Sequence, residues 1–115
     1  MSIRRGDLFW VDLDPTKGSE QAGRRPVLII QNDVGNAVAP TVIIAPLTTK
    51  SFTKPYPVNV HLSRGTAGLK QDSTILLGQI RTIDKARLGR KIGHLSPSYL
   101  TQVNRAICIS LGLTL

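Results

Sequence analysis

The sequence has little of several residue types on which protein chemistry often depends. Its 115 residues include one cysteine, two histidines, two phenylalanines, two tyrosines and one tryptophan. With Cys108 alone, neither an internal disulfide framework nor a cysteine-rich metal site can form, and a reducing compartment is indicated. His61 and His94 stand at ligand spacing neither from each other nor from a pair of acidic residues. We therefore expect structural roles for both histidines, and no metal or cofactor.

Long hydrophobic runs are also missing. The apolar residues 8–11 are followed at once by Asp12 and are too few for the core of a secretory signal. Proline or threonine interrupts the other apolar stretches, so none is long enough to cross a bilayer. A chain of this length can build one modest core. The sequence thus predicts a single domain over residues 1–115, located in the cytoplasm and without a membrane partner.

Acidic side chains are scarce, with seven Asp and Glu against fifteen Lys and Arg, and the net charge is +8 at pH 7. Residues 1–49 carry five basic and five acidic side chains, whereas residues 50–115 carry ten basic and two acidic ones. A basic excess of this kind favours a polyanionic partner, and nucleic acid is the most common one. Charge provides affinity for phosphates but no recognition of the base sequence.

Short apolar segments separated by turn residues predict several strands. The expected strands are residues 6–13, 26–31, 41–48, 58–62 and 73–80, with Pro46 marking a bulge or an edge position in the third. Turn residues occupy 32–36, and polar loops are expected at 16–25 and 50–56. Residues 81–90 read as a basic connector with a helical turn at 84–87, followed by a short strand around Ile92.

The C-terminal segment predicts a helix. Ser96 suits the N-cap, Pro97 suits the first helical position and Gly112 marks the end. An apolar stripe at helical spacing predicts packing against the core, and its members are Tyr99, Leu100, Val103, Ala106, Ile107 and Leu111. Short strands with one packed helix indicate an α+β fold built on a small, strongly curved antiparallel sheet.

The polar loop before the second strand contains the best candidate for a functional site. Pro26 biases Arg25 towards an extended conformation, and this holds a planar guanidinium at the mouth of the strand. Such a group suits two phosphoryl oxygens at once. Thr48 ends the third strand, so its hydroxyl can face the same mouth. The pattern alone is equally compatible with an ordinary solvated arginine and an ordinary strand-end threonine.

An ordered series of short segments extends over nearly the whole chain. Its members are residues 5–7, 12–15, 18–21, 25–29, 31–33, 36, 46–48 and 79–84, which are followed by the C-terminal helix. In this combination the sequence resembles the MazF/PemK family of toxin endoribonucleases. The resemblance implies an SH3-like barrel, a homodimer, a cognate acidic antitoxin and sequence-specific cleavage of single-stranded mRNA.

The same resemblance assigns roles to individual residues. The catalytic arginine of the family corresponds to Arg25 and its catalytic threonine to Thr48. The ribose 2′-hydroxyl would be the nucleophile, giving a 2′,3′-cyclic phosphate and a 5′-hydroxyl, with Arg25 neutralising the developing charge. The remaining predicted substrate contacts are Ser19, Gln21, Arg24, Lys50, Gln79 and Arg81.

The chain departs from some members of that family at two positions. It has Gly78 where those relatives have an acidic residue, and Ser19 where they have a histidine. Glu20 is the nearby acidic side chain, and it is therefore the third predicted catalytic residue, as the candidate general base.

Two other functions are compatible with the sequence. A non-catalytic RNA-binding barrel would use the basic second half, although few aromatic side chains are available for stacking on bases. A toxin on the same scaffold that inhibits a topoisomerase would not need Arg25 and Thr48 together.

Overall fold

A computed structural model describes residues 2–114 and has an α+β architecture. Its strands are β1 (Asp7–Asp12), β2 (Arg24–Ile29), β3 (Thr41–Thr48), β4 (Asn59–Leu62), β5 (Ser73–Leu76), β6 (Arg81–Asp84) and β7 (Leu88–His94). The helices are α1 (Asp33–Val38) and α2 (Pro97–Leu111), and single 3₁₀ turns lie at Thr66–Gly68, Leu77–Gln79 and Lys85–Arg87. The expected combination of an antiparallel sheet with a C-terminal helix is confirmed.

Strand β3 is the centre of the sheet because it pairs with three other strands. The strand order is β4-β5-β3-β2-β1-β7, and β6 pairs with the first half of β3. Ile44 is the last β3 residue to pair with β6, and Leu47 is the first to pair with β5. Pro46 lies between Ile44 and Leu47, where β3 pairs with neither β6 nor β5. The backbone N–H that proline lacks is therefore not needed for a hydrogen bond to either strand. The strand is therefore not an edge strand, and the proline marks the point at which its partner changes.

The sheet is buried on both faces. In β2, Leu28 packs in one apolar cluster with β5 and α2, whereas Val27 and Ile29 belong to a second cluster on the opposite face. This arrangement explains the nearly continuous apolar sequence of β2, because alternate side chains enter different cores. One core carries α2, and the other lies between β1, β2, β3 and β6.

Helix α2 has the bounds that its capping residues predict. Ser96 is the N-cap, Pro97 is the first helical residue, and Gly112 ends the helix at a φ of 69°, in the left-handed region that glycine tolerates best. The predicted stripe packs against the core through Tyr99, Leu100, Val103, Ala106 and Ile107. Leu111 is 58% exposed, since it lies at the end of the helix beyond the sheet. No helix within residues 2–114 has the length and apolarity needed to span a membrane.

Three segments differ from the sequence-based prediction. The turn residues 32–36 begin helix α1, because the Asn32 side chain caps it by accepting a bond of 2.8 Å from the Gly35 amide. The strand expected at 73–80 ends at Leu76 and continues as a 3₁₀ turn. The basic connector 81–90 contains strand β6 and the first three residues of β7, on either side of the predicted helical turn. In this segment, Ile83 and Leu88 are buried, whereas their neighbours along the chain are exposed or half-buried.

A buried carboxylate ties the first strand to the last. Asp7 is fully buried, and it accepts hydrogen bonds from the Arg4 amide (2.8 Å), from His94 Nδ1 (2.7 Å) and from Lys91 Nζ (3.2 Å). Burial alone would raise the pKa of Asp7, but the bonds from His94, Arg4 and Lys91 together hold that pKa below its ordinary value. His94 thus has the structural partner that the sequence analysis expected.

Candidate functional site

The β2–β3 pairing brings Arg25 and Thr48 together. Val27 lies opposite Pro46 in the antiparallel register, so continuing that register by two residues places Arg25 opposite Thr48. Because side chains alternate along a strand, both residues then lie on the same face of the sheet. The sequence analysis predicted that Arg25 and Thr48 face the same end of the sheet. The register makes them neighbours on adjacent strands.

Two carbonyl groups fix the guanidinium of Arg25. Its Nε donates to the carbonyl oxygen of Ala22 (2.9 Å), and its Nη1 donates to that of Leu47 (2.9 Å). The second carbonyl belongs to the peptide that joins Leu47 to Thr48. Within residues 2–114 the remaining amino group, Nη2, makes no hydrogen bond. The half-buried side chain is thus a positioned cation with donor capacity left for an anion.

The hydroxyl of Thr48 is also positioned. Its Oγ1 accepts a hydrogen bond of 3.2 Å from the Lys50 amide. A threonine hydroxyl can accept and donate at the same time, so its proton remains available to a substrate oxygen. The geometry gives the site one fixed cation and one fixed hydroxyl.

The loop from residue 13 to residue 23 lies beside this pair and contains three of the predicted site residues. Glu20 is exposed, and its carboxylate accepts a hydrogen bond from the Lys17 amide, closing a small turn. Ser19, Glu20 and Gln21 line one side of a cleft of about 340 Å³. The opposite side contains Pro46 and the segment 78–81. Pro46 lies on the same face of β3 as Thr48.

Two predicted substrate contacts hold this loop by its main chain. Gln79 accepts a hydrogen bond of 2.8 Å from the Gln21 amide and donates a longer one of 3.4 Å to the carbonyl oxygen of Ser19. Arg81 Nη1 donates to the carbonyl oxygen of Leu13 at 3.4 Å. Both side chains still line the cleft. A contact with substrate remains a prediction for each of them.

The cleft continues towards the loop that follows β3. This second part has a volume of about 430 Å³ and shares Ser19, Gln21, Gly78 and Gln79 with the first part. Lys50, Phe52 and Tyr56 form its far side. The two aromatic rings meet edge to face, with centroids 5.8 Å apart, and Tyr56 is 49% exposed. Exposed rings and a lysine together suit the bases and phosphates of a single strand.

Arg24 does not join the other predicted residues. It precedes Arg25 in β2, so its side chain lies on the opposite face of the sheet, where the guanidinium carbon is 5.0 Å from the centroid of the Trp10 ring. Its predicted role in substrate binding would need a substrate that extends around the sheet.

Sequence reasoning missed Arg87. Its Nη2 donates to the carbonyl oxygens of Asp12 (2.6 Å) and Asp14 (2.9 Å), at the start of the loop. No sequence pattern distinguishes Arg87 from the other basic residues of 81–90, because its partners are main-chain atoms. His61 was expected to be a satisfied structural histidine, but it is exposed and lines a neighbouring cleft with Lys50 and Phe52. In the described part of the chain, no three His, Cys, Asp or Glu side chains cluster as a metal site would require.

Comparison with known proteins identifies the class to which this fold and site belong. A family model described as "PemK-like, MazF-like toxin of type II toxin-antitoxin system" matches residues 4–111. Endoribonuclease MazF of Staphylococcus saprophyticus is 50% identical over 111 residues, covering 96% of this chain and 92% of that protein. Endoribonuclease EndoA of Bacillus subtilis is 48% identical over 113 residues, covering 98% and 97%.

A solved structure agrees with the sequence comparisons. It is an endoribonuclease in complex with its cognate antitoxin from a mycobacterial species, with a TM-score of 0.82, 26% identity and coverage of 98% of each chain. The protein belongs to the family of PemK-like, MazF-like toxins of type II toxin–antitoxin systems.

Proposed function

We propose that the protein is the toxin of a type II toxin–antitoxin system and acts as a metal-independent, sequence-specific endoribonuclease on single-stranded mRNA. The observation that carries this proposal is the fixed pair of Arg25 and Thr48. Neither residue lines the cleft with the exposed aromatic and basic side chains, but Pro46 and Lys50, two positions from Thr48 on either side, do. Family membership and two endoribonucleases with about half of their residues in common support it.

The proposed reaction uses the RNA as its own nucleophile. The ribose 2′-oxygen bonds to the adjacent phosphorus and loses its proton, with Glu20 as the proposed acceptor. The bond from phosphorus to the 5′-oxygen breaks, and that oxygen takes up a proton from solvent water and leaves as a hydroxyl. Arg25 neutralises the charge that develops on the non-bridging oxygens, which is the largest contribution expected from the protein. Thr48 donates a hydrogen bond to one of these oxygens.

The remaining predicted residues bind the strand on either side of the cut. Ser19, Gln21, Gln79 and Arg81 line the cleft near Glu20, and Lys50 lines its continuation next to Phe52. Lysine and arginine provide contacts to phosphates, while the amides and the ring faces can contact bases. Arg24 would contact the strand only after it leaves the cleft.

The proposed partners are a second copy of the chain and an acidic antitoxin. The net charge of +8 favours an acidic inhibitor, and a structurally similar endoribonuclease has been solved with its cognate antitoxin. A single domain over residues 1–115, acting as a homodimer in the cytoplasm, completes the proposal.

Incubation of the purified protein with a long RNA in excess EDTA tests the proposed function. We expect defined fragments that end in 2′,3′-cyclic phosphate and begin with a 5′-hydroxyl. A non-catalytic RNA-binding barrel would retard the RNA without cutting it. A topoisomerase inhibitor would leave the RNA intact and block DNA supercoiling instead. Intact RNA at protein excess would contradict the proposal.

Replacing Thr48 should reduce cleavage less than replacing Arg25. Thr48→Val removes the hydroxyl and keeps the shape, so the loss should be about tenfold, as expected for one hydrogen bond to a charged group. Thr48→Ser keeps the hydroxyl and should recover most of the rate. Single-turnover cleavage of a short labelled RNA measures both effects.

Thr82 provides the matched control. It is exposed on β6 and lines neither part of the cleft nor the neighbouring cleft with Lys50 and Phe52, so Thr82→Val should cut at the wild-type rate. Full activity of Thr48→Val would remove Thr48 from the mechanism.

A further inference from the structure

The loop between β1 and β2, residues 13–23, has few contacts of its own to fix its shape. Its residues from Lys17 to Glu20 are exposed. Inside the loop, the Gly23 amide donates to the Asp14 carboxylate (3.0 Å), and the Leu13 amide donates to the Gly23 carbonyl oxygen (3.0 Å). Leu13 is fully buried, but the residues after it bury little apolar surface, and such a segment opens at low free-energy cost unless other parts of the chain restrain it.

Arg87 restrains the start of the loop. One amino group of its guanidinium, Nη2, donates to two main-chain carbonyl oxygens, those of Asp12 and Asp14. Charge-assisted bonds of 2.6 and 2.9 Å are among the stronger hydrogen bonds in proteins. The half-buried side chain therefore joins the loop to the segment that precedes β7.

The segment that carries Arg87 is itself held firmly. Asp84 caps the 3₁₀ turn Lys85–Arg87 by accepting a bond of 2.8 Å from the Ala86 amide. The Lys85 amide donates to the Pro40 carbonyl oxygen (3.0 Å), and the Lys85 ammonium donates to the Asn36 carbonyl oxygen (2.6 Å). The donor of the bonds to the loop is thus fixed to helix α1 and to the start of β3.

Gln79 restrains the far end of the same loop. Its side-chain amide accepts from the Gln21 amide and donates to Ser19. The 3₁₀ turn Leu77–Gln79 is itself held by Ser110 of α2. The Ser110 hydroxyl donates a hydrogen bond of 2.7 Å to the Leu77 carbonyl oxygen. Glu20 lies between the two points that Gln79 holds, and directly after them follows the Ala22 carbonyl that binds Arg25.

We propose that Arg87 is a positioning residue: its bonds to the main chain at Asp12 and Asp14 keep the β1–β2 loop closed on the cleft, so that Glu20, Gln21 and the Ala22 carbonyl are in place before RNA binds. The proposal rests on the proposed function for its effect on cleavage, but the closed loop itself can be measured without RNA. Gln79 acts at the other end of the loop, where its predicted contact with substrate would complicate a mutational test.

The test compares Arg87→Ala, Arg87→Lys and Arg90→Ala in the full chain. Arg90 lies in the same basic stretch and is exposed, and its side chain makes no hydrogen bond or ion pair within residues 2–114. Each alanine variant loses one positive charge, but only Arg87→Ala loses the bonds to the loop. Arg87→Lys keeps the positive charge, but its ammonium group has a shorter reach than the guanidinium that it replaces.

Brief digestion with trypsin reports the opening of the loop at the peptide bond after Lys17. With mass spectrometry to identify the cut, we expect about tenfold faster cleavage at Lys17 in Arg87→Ala, a smaller increase in Arg87→Lys, and no change in Arg90→Ala. The midpoint of urea unfolding should stay close to the wild-type value in all three, because the core does not involve Arg87.

Cleavage of RNA provides the second measurement. Since RNA selects the closed loop, KM should rise about tenfold in Arg87→Ala while kcat changes less than twofold. Arg90→Ala should keep both constants. Unchanged digestion at Lys17 in Arg87→Ala would overturn the proposal, as would an equal rise of KM in Arg90→Ala. If the wild-type protein cuts no RNA, the proposed function fails, and digestion at Lys17 still decides whether Arg87 closes the loop.

Discussion

Arg25→Ala should lower the rate of RNA cleavage by at least about 10²-fold, the usual cost of losing a principal stabiliser of transition-state charge. The variant should still fold, because Arg25 is only half-buried and donates to two carbonyl groups at the end of a loop and a strand. Single-turnover cleavage of a labelled RNA gives the rate, and circular dichroism with thermal unfolding confirms the fold.

Two further variants separate charge from geometry. Arg25→Lys keeps the charge but loses the planar fork that bonds to Ala22 and Leu47 at once, so its rate should lie between those of wild type and Arg25→Ala. Arg105→Ala removes an exposed charge from α2 and should cut RNA at the wild-type rate. A well-folded Arg25→Ala protein with the wild-type rate would exclude Arg25 from the mechanism.

An RNA with a single 2′-deoxyribose on the 5′ side of the cut should bind with normal affinity and remain uncut. The proposed mechanism takes its nucleophile from that 2′-hydroxyl, and no side chain of the site replaces it. Fluorescence anisotropy measures the binding, and gel analysis in EDTA measures the cleavage, which should fall to background.

The matched control carries the deoxyribose one nucleotide away from the cut. That RNA should be cleaved at nearly the normal rate, since its nucleophile is intact. Cleavage of the first substrate, or of DNA, at a comparable rate would refute attack by the 2′-hydroxyl and would point to a nucleophile from water or from the protein.

Local patterns predicted the fold where a segment's own residues decide its structure. Strand β3 has the predicted bounds at residues 41–48, and α2 begins after Ser96 and ends before Gly112. A strand-forming run, Pro97 at the first helical position and Gly112 after the last act within a few positions, although the Ser96 side chain makes no capping hydrogen bond. Residues 81–90 were predicted poorly. The many basic side chains made this segment resemble an exposed connector. Ile83 and Leu88 become buried because their strands pair with β3 and β1.

The candidate site was predicted in part for the same reason. Pro26 and the two strand ends made Arg25 and Thr48 candidates, and the family resemblance assigned them. The register of β2 and β3, continued by two residues, places the two opposite each other. The bonds from Gln79 and Arg87 to the loop could not be predicted. Their partners are main-chain groups, which are the same in almost every residue, so the sequence does not show which of them a side chain binds. The separation of Arg24 from Arg25 follows from the alternation of side chains in β2. It was missed because β2 begins at Arg24, two residues before the predicted strand.

The way in which the β1–β2 loop is joined to the sheet allows its residues 15–19, most of them exposed, to change during evolution while Glu20 and the Ala22 carbonyl, on which the chemistry depends, stay in place. Asp12 and Arg24 are partners across β1 and β2, and Val11 is the partner of Arg25, so the loop starts and ends at adjacent points of a rigid ladder. Insertions or replacements between these points alter little of the sheet, because extra loop length costs little free energy. A descendant of this chain can therefore acquire a new preference for RNA bases while its arginine stays beside Thr48.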